Sequence, residues 1–517
     1  MDADVEAAPR DVELSALEAE KQPMASPESG AAGPEKNGLV KAAGTGEAAG
    51  PKFTGLGKEE LLRAAAAPGW TRARAALLAA FWLGWLGMLG AAVAIVARAP
   101  RCHVTGSAEW WRSGGLYRAP PEVFGGKLQE VRDHLDYVAS LAGGLLLGPL
   151  PHHSTADPPL EEWPPQLGSE EELRGVLKTA KEHGLQVLVE LNHSAVRNHF
   201  SNGPTRSNGS SAIKQAIGAW LQRGFDGVFL DGIEELEDSV LAEFRNITEQ
   251  WSTDETPRLL VGGTRLRDPS SLQDLLNSTK VSLVLGVLPL GPPLDSQNGQ
   301  TVLDPTHVAQ LLQLSQGGVP VVWSVGTPWK HLVGLSPPLA PQVLLLLWGG
   351  LPNAPTLNYG DEVGLMDPQG AGSDQLTPMP WTELKALQEG GNSSQAQLLS
   401  LSRRLRAMRK KEKTLAVGGA QVLWAGPDRG VAVLRGAGAG ERFLLLLNPG
   451  AESLHPFRPR SEVATPTTGP TPPPLPPRAR LVLSTHGSPP PGTETPVEMA
   501  ELQLQPYEGL LLRLPPQ

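Results

Sequence analysis

One stretch of the chain, Ala75–Ala97, runs for 23 residues without a charged side chain. As a helix rising 1.5 Å per residue it reaches roughly 34 Å, enough to cross a hydrocarbon layer about 30 Å thick. Basic residues flank it, Arg72 and Arg74 before and Arg98 and Arg101 after, which suits a membrane span better than a buried core helix. Residues 1 to about 50 are rich in Ala, Glu, Gly and Pro with almost no aromatic side chains, a pattern that predicts disorder. The segment 53–74, "KFTGLGKEELLRAAAAPGW" and the residues after it, predicts a short helix lying under the membrane and ended by Gly69, just after Pro68.

Past a neck at 98–112 the pattern changes to short apolar runs alternating with helical stretches. "GGLLLGPL" (Gly143–Leu150) is a continuous apolar run between glycines, as expected of a strand covered on both faces. Helical stretches at Glu170–His183, Ala212–Arg223 and Val240–Trp251 precede the runs "LQVLVELN", "FDGVFLD" and "RLLVGG". Repeated strand–helix units of this spacing predict a parallel α/β barrel or open sheet over 113–411. From 412 to 517 the helical pattern stops, and "AQVLWAG", "GVAVLRG", "RFLLLLN", "ARLVLST" and "EGLLLRLP" predict a small antiparallel β-domain, with a loose Pro-rich loop over Pro456–Pro496.

Composition narrows the function classes. The 517 residues carry a net charge of −10, which argues against a nucleic-acid surface, since that needs a basic excess facing phosphates. The single cysteine, Cys102, excludes an internal disulfide and a cysteine-based zinc site. The acidic, polar first residues do not read as a signal peptide, so residues 75–97 are expected to act as a signal-anchor. Flanking charge decides little about orientation, because Lys58, Arg63, Arg72 and Arg74 only slightly outnumber Arg98, Arg101 and Arg112. The glycosylation acceptors Asn192, Asn208, Asn246, Asn277 and Asn392 all follow the span, with none in the first 74 residues. Chance triplets aside, this favours a cytoplasmic tail at 1–74 and an outer C-terminal portion.

The segments "GLLLGPL", "HGLQVLVELNHS", "GFDGVFLDGIEEL", "RLLVGG" and "LLLLWGGLPNAPTLNYGDEVGL" occur in the order found in the α-amylase family of glycoside hydrolases, which the chain resembles over roughly 115–450. The resemblance implies a (β/α)8 TIM-type barrel followed by a β-sandwich, with the family's chemistry at the C-terminal ends of the strands. Retaining members need two carboxyl groups about 5 Å apart. Asp231 matches the family's nucleophile, but Phe229 stands where its arginine would be and Gly263 where its acid glutamate would be. No His-Asp pair occurs near "VVWSVGTPWKHL". Loss of the general acid alone typically costs about 10²–10⁴ in rate. The loop after "LVELNHS" reaches the next helix in about twenty residues, too few for the family's substrate-gripping subdomain. Glu190 lies only two residues before Asn192, which does not fit an amylase-like calcium site, so neither metal nor cofactor is expected. His193 reads as a loop or structural histidine, and Asp231 also reads as a turn or helix-cap residue.

A membrane-anchored, amylase-like barrel without catalytic residues resembles the heavy subunits of heteromeric amino-acid transporters. The stretch from "KFTGLGKEELL" to "IVARAPRC" is similar to the cell-surface antigen type. The type serving dibasic amino acids and cystine carries extra cysteines, which this chain lacks. The resemblance implies a multi-pass amino-acid exchanger as disulfide-linked light chain, escort to the plasma membrane, and contact with β-integrins. Cys102, five residues beyond the span, reads as an interchain disulfide; the alternatives are lipidation or a buried thiol, and the polar flank "RAPRCHV" suits neither. Small residues at i and i+4, Ala80 with Gly84, Gly87 with Ala91 and Gly90 with Ala94, would let a partner helix approach closely, though Ala and Gly are common in spanning helices generally. Two other readings compete: a surface-anchored α-glycosidase using Glu234 or Glu235 against Asp231, and an adhesion or signalling receptor acting through the tail. One spanning helix encloses no pathway, so transport itself would belong to the partner.

Overall fold

The computed structural model describes residues 57–98, 109–150, 160–191, 196, 206–253, 256–288, 303, 305–315, 318–335, 337–367, 376–388, 393–425, 430–436, 440–454, 475–490 and 492–515. They fall into two compact units, Met1–Pro100 and Arg101–Gln517.

In the first unit α1 (Lys58–Ala65) is followed by α2 (Pro68–Arg98, 31 residues). The short helix is present, but the predicted stop at Gly69 is not. The break falls at Ala66–Ala67, and Pro68 opens the longer helix, at the position where a missing N–H and a fixed φ cost nothing. Within α2, Pro68–Ala92 is long and apolar enough to cross a membrane. It carries Ala80, Gly84, Gly87, Gly90 and Ala91 exposed, with open space beside each of the three glycines. Trp82 and Trp85 pack edge to face on a separate side of the helix, ring centroids 6.1 Å apart.

The second unit opens with the short helix Trp110–Gly114 and a closed barrel of eight parallel strands in sequence order. The strands are β1 (Leu116–Ala119), β2 (Gly144–Leu147), β3 (Gln186–Leu191), β4 (Gly227–Asp231), β5 (Leu259–Thr264), β6 (Leu283–Val287), β7 (Val321–Ser324) and β8 (Thr356–Asn358). Between them run α3 (Leu128–Asp133), α4 (Leu135–Leu141), α5 (Glu170–Glu182), α6 (Arg206–Arg223), α7 (Asp238–Gln250), α8 (Pro269–Ser278), α9 (Pro305–Leu314) and α10 (Ala340–Leu345). The barrel, rather than an open sheet, is the outcome, because β1 pairs with both β2 and β8. The strands read as unbroken apolar runs because both their faces are covered. One set of side chains, Leu116, Leu146, Leu188, Phe229, Val261, Leu285 and Val322, fills the barrel interior. The alternate set packs outward under the helices. Local signals fix the helix starts: Ser169 and Glu172 form a reciprocal cap on α5, and Asp268 caps α8 ahead of Pro269.

A basic helix, α11 (Ser394–Lys411), leads to six antiparallel strands: β9 (Ala420–Ala425), β10 (Val431–Arg435), β11 (Arg442–Leu447), β12 (Arg478–Ser484), β13 (Thr495–Glu498) and β14 (Gly509–Leu514). They form one sheet in the order β13-β12-β14-β11-β10-β9. The antiparallel domain is as expected, but the described second layer is irregular chain, with Leu454, Leu475 and Leu502 over the outer face. The inner face, including Val433, Phe443, Leu445 and Leu511, merges with the barrel's helical layer. Within the stretch read as loose loop, β12 and the start of β13 are ordered strands. Residues 456–474 and 491 of it lie outside the described residues.

Candidate functional site: the strand ends of the barrel

The inward-facing positions of β1, β3, β4 and β5 bring Arg118, Glu190, Phe229, Asp231 and Gly263 together. Glu190 is registered beside Phe229, and Asp231 beside Gly263. Phe229 is fully buried. Its ring occupies the space a side chain on residue 263 would need: a Cβ there would lie 2.5 Å from Phe229 Cζ and 2.8 Å from Asp231 Oδ1. The two departures from the hydrolase pattern are therefore complementary, since the phenyl ring fills the volume freed by glycine. Removing the acid side chain opened no hole.

Asp231 accepts a hydrogen bond from Arg265 Nη2 at 2.7 Å, with the carboxylate 22% and the guanidinium 56% exposed. The bond to Asp231 raises the Arg265 pKa further. Arg265 comes from the loop after β5, so the cation beside this carboxylate enters from the mouth of the barrel rather than from position 229. Glu234, one of the alternative acids, accepts from the Arg265 backbone N–H at 3.1 Å, while Glu235 is exposed. Glu190 is the other carboxyl near Asp231. It is buried and held by both Nε (2.9 Å) and Nη2 of Arg118, whose guanidinium stacks 5.0 Å over Phe229. Burial raises Glu190 above the ordinary carboxylate range, against the opposing pull of Arg118. With both its oxygens committed to Arg118, Glu190 is a structural strut at the floor of the cleft.

Two further constellations were not legible from local motifs. His331 is buried, and its Nδ1 lies 2.5 Å from Asp367 Oδ1. No adjacent His-Asp exists, yet the fold pairs these residues across 36 positions. Behind β8, Glu362 Oε1 accepts from Tyr117 (3.0 Å) and Tyr137 (2.6 Å), and Asp361 accepts the backbone N–H of Leu332 at 2.8 Å. Burial raises both carboxyls. The "NYGDE" segment thus builds the wall of the barrel, with its acids turned into the protein. Among the described residues no cluster of three His, Cys, Asp or Glu is arranged to hold a metal ion.

Of the predicted modification sites, Asn246 is exposed on α7 and Asn277 at the end of α8, where its Oδ1 accepts from Gln273 at 3.1 Å. The third residues of these two triplets, Thr248 and Thr279, are both buried. Asn208 lies in the first turn of α6. That helix begins at Arg206, six residues before the predicted Ala212. Cys102, Asn192, His193 and Asn392 lie outside the described residues.

Comparison with known proteins fits both units. The family model described as "Solute carrier family 3 member 2 N-terminus" matches residues 41–117. Proteins named amino acid transporter heavy chain SLC3A2 from Oryctolagus cuniculus and Mus musculus are 37% and 36% identical, each alignment covering 100% of this chain and 99% of the relative. Among solved structures, trehalulose synthase MutB from Pseudomonas mesoacidophila superposes with a TM-score of 0.58 at 14% identity, over 79% of this chain and 100% of that one. The Bacillus licheniformis trehalose-6-phosphate hydrolase gives 0.55 at 12%, over 78% and 100%. At those identities the sugar enzymes establish the barrel fold alone, whereas the full-length matches establish kinship: the chain belongs to the SLC3A2 amino acid transporter heavy chain family.

Proposed function

We propose that this protein is a non-catalytic heavy subunit that binds, stabilises and brings to the plasma membrane a multi-pass amino-acid exchanger. In this reading α2 spans the bilayer once with residues 1–74 in the cytoplasm, and the barrel and sheet lie outside. Cys102 forms an interchain disulfide with the light chain, and Ala80, Gly84, Gly87, Gly90, Ala91 and Ala94 offer a close-packing face to it. Glycans sit on the outer acceptor asparagines, and the tail and membrane region contact β-integrins in an adhesion role. The names of the full-length relatives support the transporter assignment.

The observation that carries the non-catalytic part is the state of Asp231. It is ion-paired with Arg265, beside a Gly263 whose side-chain space is filled by Phe229. A retaining glycosidase needs a second carboxyl facing the nucleophile and able to donate a proton. The two nearby candidates are engaged, Glu190 by Arg118 and Glu234 by the Arg265 backbone. One observation favours the glycosidase alternative: Glu234 Oε2 is buried without a hydrogen-bond partner. Hydrolysis of maltose-type oligosaccharides that disappears in Glu234→Gln would establish that alternative. For the main reading, mass spectrometry of the non-reduced complex from fresh membranes should identify a multi-pass exchanger on Cys102, and Cys102→Ser should release it. A monomer-sized species alone would refute the tether.

A further inference from the structure

The proteins's strongest unassigned feature is a cavity of about 590 Å³ between α11 and the turn that follows β12. Arg403, Arg404 and His486 line it, together with the hydroxyl-bearing Ser394, Thr485 and Ser488. No carboxylate is among the described residues lining it. Glu508, just before β14, reaches the end of β12 but is already engaged there by the Ser484 hydroxyl and by the Gln505 backbone N–H, both at 2.9 Å.

Each guanidinium is anchored on one side and left with donors to spare. Arg403 donates from Nε to Ser140 Oγ at 3.1 Å and lies 5.5 Å from the centroid of the Tyr137 ring. Arg404 donates from Nη2 to the Pro489 carbonyl at 2.8 Å. Those anchors are neutral, so neither charge is balanced by an ion pair among the described residues. Burial lowers the Arg404 pKa, as expected for a cation short of counter-charge. The helix behind them adds to the field: α11 has six basic residues and no acidic one in 18, in a chain whose net charge is −10. The Ser488 hydroxyl donates to the Ser484 carbonyl at 2.6 Å, which leaves Ser394 and Thr485 as hydroxyl donors beside the guanidiniums. Half-desolvated guanidiniums with such neighbours are the arrangement in which an oxyanion gains most from charge-assisted hydrogen bonds.

We infer that this cavity binds a small oxyanion-bearing ligand, a sulfate or phosphate ester, held by Arg403, Arg404 and His486. A cavity of this volume has room for a sugar-sized body behind the anionic group. Both kinds of ester share the tetrahedral, multiply accepting oxyanion that a pair of guanidiniums recognises.

The test uses the full chain in detergent at fixed ionic strength. Calorimetry would be run with inorganic phosphate, with a sulfated disaccharide, and with vesicles containing an anionic phospholipid. The expected result is saturable binding of phosphate or the disaccharide, weakened about tenfold in Arg404→Gln, the loss of roughly one charge-assisted hydrogen bond. Arg404→Lys should be intermediate. His486→Gln, a change at an exposed ring, should weaken binding as well, by less than Arg404→Gln does. Vesicle binding lost in Arg404→Gln would also uphold the site and identify its ligand as a lipid headgroup. Equal affinity in wild type, Arg404→Gln and His486→Gln, or no saturable binding of any probe, would overturn it.

Discussion

The rim of the barrel and the seam where the barrel meets the sheet both hold arginines, and they satisfy them in opposite ways. At the rim Arg265 meets a carboxylate, Asp231, in a partly exposed pair. At the seam Arg409 and Arg435 are fully buried and meet backbone carbonyls. Arg409 donates to the carbonyls of Arg112 (2.8 Å), Trp348 (2.6 Å) and Leu351 (3.0 Å), and also to that of Pro352. Arg435 donates to Leu351, Leu415 and Gly418. Burial pushes Arg435 down to about 9 and Arg409 well below its ordinary value. The carbonyls at the end of the helical segment Leu346–Gly350 would otherwise be orphaned, and the two guanidiniums satisfy them, although Arg435 Nε itself is buried without a partner. An exposed ion pair contributes about 0–1 kcal/mol, whereas stranding buried carbonyls costs about 1–3 kcal/mol each. The stability of the unit Arg101–Gln517 therefore rests on the seam, and the rim is free to change its chemistry.

Substitutions can break that contrast, the largest at the seam. Arg409→Met leaves several buried carbonyls without donors and should lower stability by roughly 3 kcal/mol or more, read as a lower denaturation midpoint of the full chain. Next, Gly263→Glu forces a side chain into the Phe229 ring and should cost about 1–3 kcal/mol by overpacking, without creating hydrolysis. Adding Phe229→Ala should recover part of that loss, a coupling of about 0.5–3 kcal/mol that additive sites would not show. Smallest is Arg265→Gln, with about 0–1 kcal/mol expected for so exposed a pair; a larger loss would make the rim structural and dissolve the comparison.

The buried acids of the barrel wall provide a test in pH. Burial holds the Glu362 pKa above its unfolded value, so the folded state binds the proton more tightly. The stabilisation this brings is complete below the unfolded pKa of about 4.3 and is lost as pH rises through the folded value. Glu362→Gln resembles the protonated acid and can still accept from Tyr117 and Tyr137. Wild type and variant should therefore be similarly stable near pH 4, with wild type falling behind as pH rises. Parallel stability curves would show that Glu362 does not titrate on unfolding.

Much of the architecture was written in local pattern. The uninterrupted apolar runs gave the barrel strands, because a parallel strand is covered on both faces, and the charge-free run falls in the helix that is long and apolar enough to cross a membrane. Asp231, Phe229 and Gly263 could be singled out because they sit in strand motifs. What they do to one another could not, because the contact between Phe229 and Gly263 arises from strand pairing. Arg265 carries no motif, although a basic residue just past a strand end was the available signal. His331 with Asp367, and Tyr117 and Tyr137 with Glu362, meet only after the barrel closes. The stop at Gly69 was misread because a proline opens a helix as readily as it follows one.

The central claim is that the cleft is chemically idle, and turnover by the full-length protein tests it most directly. Purified chain should release no more product from α-linked glucose oligosaccharides than Asp231→Asn does under the same conditions. Sustained hydrolysis by the wild-type chain that vanishes in Asp231→Asn would contradict the account.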